Sequence, residues 1–313
     1  MQRAGDPASP DRVVLVHGFG ASSGHWRHTI PALAEGAEVL AIDLLGFGAS
    51  DKPRSCLQGE SPQAGSVRYC FDLWAELVAD CATTDFGATG QPQRRLHLIG
   101  NSIGGMVALT AARLLRQRHH SPHQVVLIDC AQRTLDDKRL GDKDPLARAG
   151  RPLLKGLVSQ RWLLAGLFRL LAQPPFIRRV LAQAYPSGAN VDDELVKLLH
   201  RPSTDPGAVE SFRGFVNLFN DHLAPELLAD LSVALDAVQP QVPVRMIWGE
   251  ADPWEDPAEA RKWAADFSCV AELVVLAGVG HCPHDEAPEL VNPILQRWIL
   301  NANPSSGEPD PTP

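Results

Sequence analysis

Ser102 is the centre of Gly100-Asn101-Ser102-Ile103-Gly104, which directly follows the mostly apolar run Leu96–Ile99. Gly-x-Ser-x-Gly at the end of a short strand and the start of a helix forces a sharp turn that lifts the serine above the sheet edge. The turn leaves no room for a Cβ on either side, which is why glycine flanks it. A neutral hydroxyl is a weak nucleophile until a base takes its proton. Two later segments offer that help. Gly278-Val279-Gly280-His281 follows the strand-like run Ala271–Leu276, and Gly249-Glu250-Ala251-Asp252-Pro253-Trp254 follows Val244–Trp248. The chemistry this predicts is acyl transfer, in which Ser102 attacks, His281 accepts the proton and Asp252 orients the imidazole. The oxyanion is expected on two backbone N–H groups, those of Ile103 and of Phe19 in the turn His17-Gly18-Phe19-Gly20. Trp254 and His284 are the expected substrate contacts.

Alternatives stay open along the sequence. Asp129 follows the run Val125–Ile128 and Glu250 stands two residues before Asp252, so either is a rival acid. His284, followed by Asp285, is a rival for His281, which is preferred because the Gly278–Gly280 turn frees it to project over a sheet. His17 either braces the oxyanion turn or touches substrate. His25 reads as a helix-surface residue, and Asp43 as the anchor of the tight turn Leu44–Asp51.

These residues must be held by alternating elements. Short β-branched runs at Arg12–Val16, Glu38–Ile42, Arg95–Ile99, Val125–Ile128, Val244–Trp248 and Ala271–Leu276 alternate with helical patterns near 23–34, 69–82, 104–118, 257–267 and 287–300. That rhythm predicts an α/β fold with a mostly parallel, doubly wound sheet, and functional residues at the carboxyl ends of its strands. From Ala131 to about Gln239 no strand pattern occurs, and the Leu-rich, Pro-punctuated segment reads as a helical cap inserted between core strands. The expected organisation is a disordered 1–11, core 12–130, cap 131–240, core 241–302 and a disordered tail 303–313. Within the cap, Arg151–Phe176 is unusually apolar, with Leu153, Leu157, Leu164, Leu167 and Leu171 opposite Arg151, Lys155, Ser159 and Arg169. Such a face packs on a core, closes over a large apolar substrate, or rests on a membrane surface as a peripheral contact.

Composition sets limits. A chain of 313 residues that is 44% hydrophobic can bury a sizeable core, and its net charge of −8 argues against a nucleic-acid partner. The basic stretch Arg113–His123 falls at a helix end, where cations suit the dipole. The six cysteines show no Cys-x-x-Cys or zinc-like spacing and read as reduced, buried thiols, so neither metal nor cofactor is expected. The polar, proline-bearing start is unlike a signal peptide, and no apolar run approaches the ~20 residues that span a bilayer. A cytoplasmic protein is expected. Nothing in the sequence sets its oligomeric state.

The order serine, acid, histidine resembles the α/β-hydrolase family. Within it, Gly280-His281-Cys282-Pro283-His284-Asp285-Glu286-Ala287-Pro288-Glu289-Leu290-Val291-Asn292 resembles the pheophytinase-type, chlorophyll-dephytylating hydrolases of plants and cyanobacteria. The elbow Gly100–Gly105, with Ile103 where that group has Leu, is similar too, as are Trp248–Trp254 and Tyr69–Leu77. The resemblance runs from about Arg12 to Ile299 and loosens through the cap. It implies an α/β-hydrolase fold, no cofactor, hydrolysis of a large hydrophobic ester such as the phytyl ester of chlorophyll or pheophytin, and contact with a photosynthetic membrane. It carries the nucleophile to Ser102, the base to His281 and the acid to Asp252. Carbon–carbon bond hydrolysis of ring-cleavage products, general esterase or lipase activity, and a non-catalytic binding role are the competing readings. Dehalogenases and epoxide hydrolases need a carboxylate where Ser102 stands.

Overall fold

Val13, Val14, Leu15 and Val16 are all fully buried, as a strand covered on both faces must be. The computed structural model describes residues 1–84, 94–131, 156, 159–218, 222–235 and 240–300. Its strands are β1 (Gln2–Ala4), β2 (Asp11–Val16), β3 (Glu38–Ile42), β4 (Arg95–Asn101), β5 (Gln124–Ile128), β6 (Val244–Gly249) and β7 (Val270–Leu276). They form one sheet of order β1-β3-β2-β4-β5-β6-β7, with every pair parallel except β1–β3. The helices are α1 (Thr29–Ala34), α2 (Phe71–Thr84), α3 (Ile103–Gln117), α4 (Arg161–Leu171), α5 (Pro174–Ala184), α6 (Asp193–Ser203), α7 (Ala208–Val216), α8 (Ala224–Ser232), α9 (Pro257–Asp266), α10 (Pro283–Glu286) and α11 (Pro288–Ile299).

Strand periodicity of two splits the core into two layers. Val14, Val16, Leu40, Ile42 and Leu98 face a layer that includes residues of α2, α3, α8 and α9. Val13, Leu15, Val39, Ala41 and Ile99 face the other, with Leu33 of α1 and Val291, Leu295 and Ile299 of α11. Burying a Leu or Val side chain contributes about 1.5–3 kcal/mol each, so these paired layers dominate stability. They fix the carboxyl rim of the sheet, where the polar residues gather.

Two expectations change. Residues 1–11 were expected to be disordered, yet Gln2–Ala4 pairs antiparallel with β3, Gln2 opposite Ala41. The physical reason is an otherwise open sheet edge, whose unpaired N–H and C=O groups recruit a strand. Arg3 Nε then donates to Glu38 at 3.0 Å and Ser9 Oγ to the Gly36 carbonyl at 2.8 Å. The expected cap, 131–240, contains α8, whose Leu227, Leu228 and Leu231 pack in the main core rather than over the rim.

In the cap, Leu181, Ala184, Tyr185, Leu195 and Val196 form a separate small cluster with Cys282. The apolar run around 161–176 is not one helix but α4 and α5, parted before Pro174, which suits the first turn of a new helix. Leu164 is buried, whereas Leu167 faces solvent, as do Trp162 at 76% and Leu170 at 70% exposure. The expected positions Arg151, Leu153, Lys155 and Leu157 lie outside the described residues, as does the tail 303–313. No described helix is long and apolar enough to cross a membrane.

Candidate active site

β4 ends at Asn101 and α3 begins at Ile103, so Ser102 alone makes the turn. It does so at φ 55°, a region rarely occupied by a residue with a Cβ and costing about 1–3 kcal/mol. The structure shows why glycines flank it. A Cβ on Gly100 would stand 2.1 Å from the Gly104 carbonyl oxygen, and one on Gly104 would stand 2.2 Å from that of Val16. The elbow is pinned from the next strand, since the Ser102 amide donates to Ile128 at 2.9 Å.

Asp252 and His281 leave β6 and β7 and meet. Nδ1 of His281 bonds Asp252 Oδ2 at 2.7 Å. Asp252 Oδ1 accepts the amides of Trp254 at 2.8 Å and Glu255 at 3.2 Å. Burial works against a charge on Asp252, but the His281 bond and charge, Asp129 and the Trp254 amide together hold its carboxyl below the ordinary range. Trp254 meets the His281 ring edge-on, centroids 4.7 Å apart. The Gly280 position is tight, since a Cβ there would lie 2.2 Å from the Ala184 carbonyl oxygen of α5. That same carbonyl accepts the His281 amide at 2.9 Å.

Ser102, Ile103, Phe19, Trp254 and His281 all line one cavity of about 400 Å³, walled by apolar side chains that include Leu181, Leu199 and Phe215. Phe19 stacks on Phe215 with centroids 3.8 Å apart. Among the described residues neither the Phe19 nor the Ile103 amide donates to a protein acceptor. Ile103 opens α3, where first-turn amides have no partner within the helix. Ser102 and His281 make no hydrogen bond to each other in this structure.

The remaining sequence candidates fall elsewhere. His284 was expected to touch substrate, but it is buried behind the cavity against Trp26, centroids 4.2 Å apart, because the turn of α10 points it into the core. Burial pushes its pKa well below the usual value. His17 braces the turn His17–Gly20, with Nδ1 donating to the Gly18 carbonyl at 2.8 Å and Nε2 accepting the Leu44 amide at 3.1 Å. Asp43 accepts the amides of Ser23 at 2.6 Å and Ala49 at 3.2 Å, as a turn anchor should. Glu250 is exposed. All six cysteines are free, and five are buried.

Three residues went unassigned or misread in the sequence. His25 is buried and lines the cavity instead of a helix surface, bonded to Tyr185 Oη at 2.7 Å, because the cap covers it. Cys282 lines the cavity beside His281. The amide of Asn101 donates to the carbonyls of Ile128 at 3.2 Å and His281 at 3.1 Å, tying three strand ends together. A polar amide directly before the elbow serine was the available signal for Asn101. The sequence spacing offered no metal cluster, yet folding brings donor atoms of Asp129, Asp252 and His281 within 4.8 Å of one another. The His281–Asp252 hydrogen bond already engages two of them, and a cation there would have to break it.

Comparison with known proteins places this geometry in context. A sequence model described as the alpha/beta hydrolase family matches residues 13–294. The chain is 25% identical to chloroplastic pheophytinase of Arabidopsis thaliana over 95% of its own length and 63% of the plant protein's, and so spans less than two thirds of that relative. It is 29% identical to pimeloyl-[acyl-carrier protein] methyl ester esterase of Aeromonas hydrophila, covering 93% of this chain and 95% of the esterase. Among solved structures, the epoxide hydrolase CorEH superposes with TM-score 0.67 at 21% identity, covering 96% and 94% of the two chains, a likeness of fold.

Proposed function

This chain belongs to the alpha/beta hydrolase family, and from that premise we propose that it is a serine hydrolase of carboxylic esters with Ser102 as nucleophile, His281 as base and Asp252 as the acid that orients it. The observation that carries the reading is the 2.7 Å Asp252–His281 bond at the wall of an apolar cavity that also holds Ser102. Asp252 fixes the Nδ1–H tautomer, which leaves Nε2 to take the Ser102 proton. The hydrogen bond between serine and imidazole forms when substrate binds, since catalytic hydrogen bonds are often long or unmade in unliganded sites. The tetrahedral oxyanion is held by the amides of Ile103 and Phe19, and losing one such donor typically costs about 2.7–4 kcal/mol of transition-state stabilisation. The acyl-enzyme is then released by water activated at His281.

The apolar lining favours a hydrophobic ester, and likeness to pheophytinase favours a phytyl ester of a chlorophyll-type pigment. A cavity of about 400 Å³ lies at the low end of small-molecule sites and admits an ester-bearing arm rather than a whole phytylated tetrapyrrole. A smaller acyl ester is therefore the second reading, and the pimeloyl ester esterase likeness agrees with it. Exposed Trp162 and Leu170 on α4, beside Arg169, suit a lipid surface from which a greasy substrate is drawn. Parallel assays on pheophytin, chlorophyll and p-nitrophenyl esters decide between the substrates. Release of phytol supports the pigment reading, and cleavage of p-nitrophenyl esters alone supports the smaller ester. Failure of a fluorophosphonate to label Ser102 in folded protein overturns both. Activity is expected to survive dialysis against EDTA, because the mechanism routes no step through a metal.

A further inference from the structure

Asp129 follows β5, which lies between the strand that carries Ser102 and the strand that leads to Asp252. It is fully buried and adopts φ 43°, and its Oδ1 accepts the Gly249 amide at 2.9 Å. Its Oδ2 is buried with no hydrogen-bond donor. An oxygen of Asp129, an oxygen of Asp252 and a ring nitrogen of His281 lie within 4.8 Å of one another. Two carboxylates this close, both shut away from water, do not ionise together. The partners decide which keeps the charge. Asp252 has the imidazole and two backbone amides, whereas Asp129 has one amide.

We propose that Asp129 is a positioning residue that works as a neutral carboxylic acid, donating its Oδ2 proton to the Asp252 carboxylate and so holding that carboxylate against His281. This rests on the triad reading above. The surroundings agree. Burial first, then the charge of Asp252, push the Asp129 carboxyl well above its ordinary range, and Glu255 on the loop after β6 adds to this. The other titratable neighbours are Cys130 on its own strand exit and Cys282 beside His281, and burial keeps both thiols neutral. The strained turn at Asp129 has a use in this account, since it aims one oxygen at Gly249 and leaves the other for Asp252.

The donated proton draws negative charge off Asp252, which then holds an imidazolium less firmly. The acid limb of the kcat/KM profile therefore lies at lower pH than it would without the donor. The full chain is tested as wild type, Asp129→Asn and Asp129→Ala, with p-nitrophenyl ester hydrolysis followed across pH. The amide of Asp129→Asn still donates, so the acid limb stays in place. Asp129→Ala moves it up by about half a pH unit to one unit. An ionised Asp129 predicts the opposite, because Asp129→Asn would then remove a negative charge beside His281 and move the limb down. Infrared spectroscopy gives a readout free of turnover, namely a protonated-acid carbonyl band at pH 7 that Asp129→Asn removes. Absence of that band overturns the proposal. If no ester is hydrolysed, the band still decides the protonation of Asp129 while the hydrolase reading falls separately. If Asp129→Ala fails to fold, Asp129→Asn and the band suffice.

Discussion

His281 and His284 stand three residues apart and end in opposite surroundings. His281 faces the cavity with one ring nitrogen held by Asp252. His284 is sealed against Trp26 and His25, and neither of its nitrogens has a hydrogen-bond partner. Carboxylates are close to both, so acidity nearby is not what separates them. The acids beside His284 are committed to holding the cap. Asp285 accepts Arg27 at 2.8 Å and Tyr185 at 3.0 Å, and Glu286 accepts the Gly280 and Ser187 amides at 2.7 and 2.9 Å. A histidine becomes a base when a carboxylate fixes one nitrogen and a cavity receives the other. It becomes packing when the chain turns it inward, where only the neutral form is tolerated.

The strongest way to break this contrast is to exchange the roles. Ser102→Ala and His281→Gln are each expected to lower kcat/KM by about 10⁴-fold or more, while His284→Leu leaves turnover largely intact. Steady-state assays on one ester measure all three, and a collapse in His284→Leu with folding preserved would erase the distinction. Next in size is Asp252→Asn, expected to lower kcat by about 10³–10⁴-fold through the wrong imidazole tautomer, with KM little changed. Asn101→Ala removes two buried hydrogen bonds that register the elbow against the His281 loop. A loss of roughly tenfold to a hundredfold in kcat is expected, corresponding to about 1–3 kcal/mol. The smallest effect is on stability. Burial lowers the pKa of His25 to about 4 and holds that of His284 well below normal. As pH falls the unfolded chain, with histidine near ~6.5, takes up protons before the folded one does. Both contributions are complete above about 6.5 and are lost as pH falls below it, that of His25 as pH falls toward 4. The melting temperature should drop between pH 7 and pH 5, and drop less in His284→Leu.

The rim was more legible in the sequence than the cap, for a physical reason. Each rim residue stands within five positions of the end of a strand with a recognisable local pattern, so Ser102, Asp252 and His281 could be proposed from neighbours in the chain. The crowding that calls for glycine is local at Gly100, against Gly104, but at Gly104 it comes from the neighbouring strand, against Val16. What failed to show depends on chain segments that converge only after folding. His25 is covered by α5, which follows it by some 150 positions. Gln2–Ala4 becomes a strand because β3 offers an edge. His284 has the same local sequence whether it faces substrate or Trp26. Asp129 was visible as a carboxylate after a strand, but its partner was not.

One bond described above links access to competence. The carbonyl of Ala184, at the last residue of the cap helix α5, receives the amide of His281. That helix also supplies Val180 and Leu181 to the cavity wall. Any outward swing of α5 that widens the entrance pulls on the loop carrying the imidazole. The wall of the pocket and the seat of the imidazole are therefore tethered to each other through the main chain.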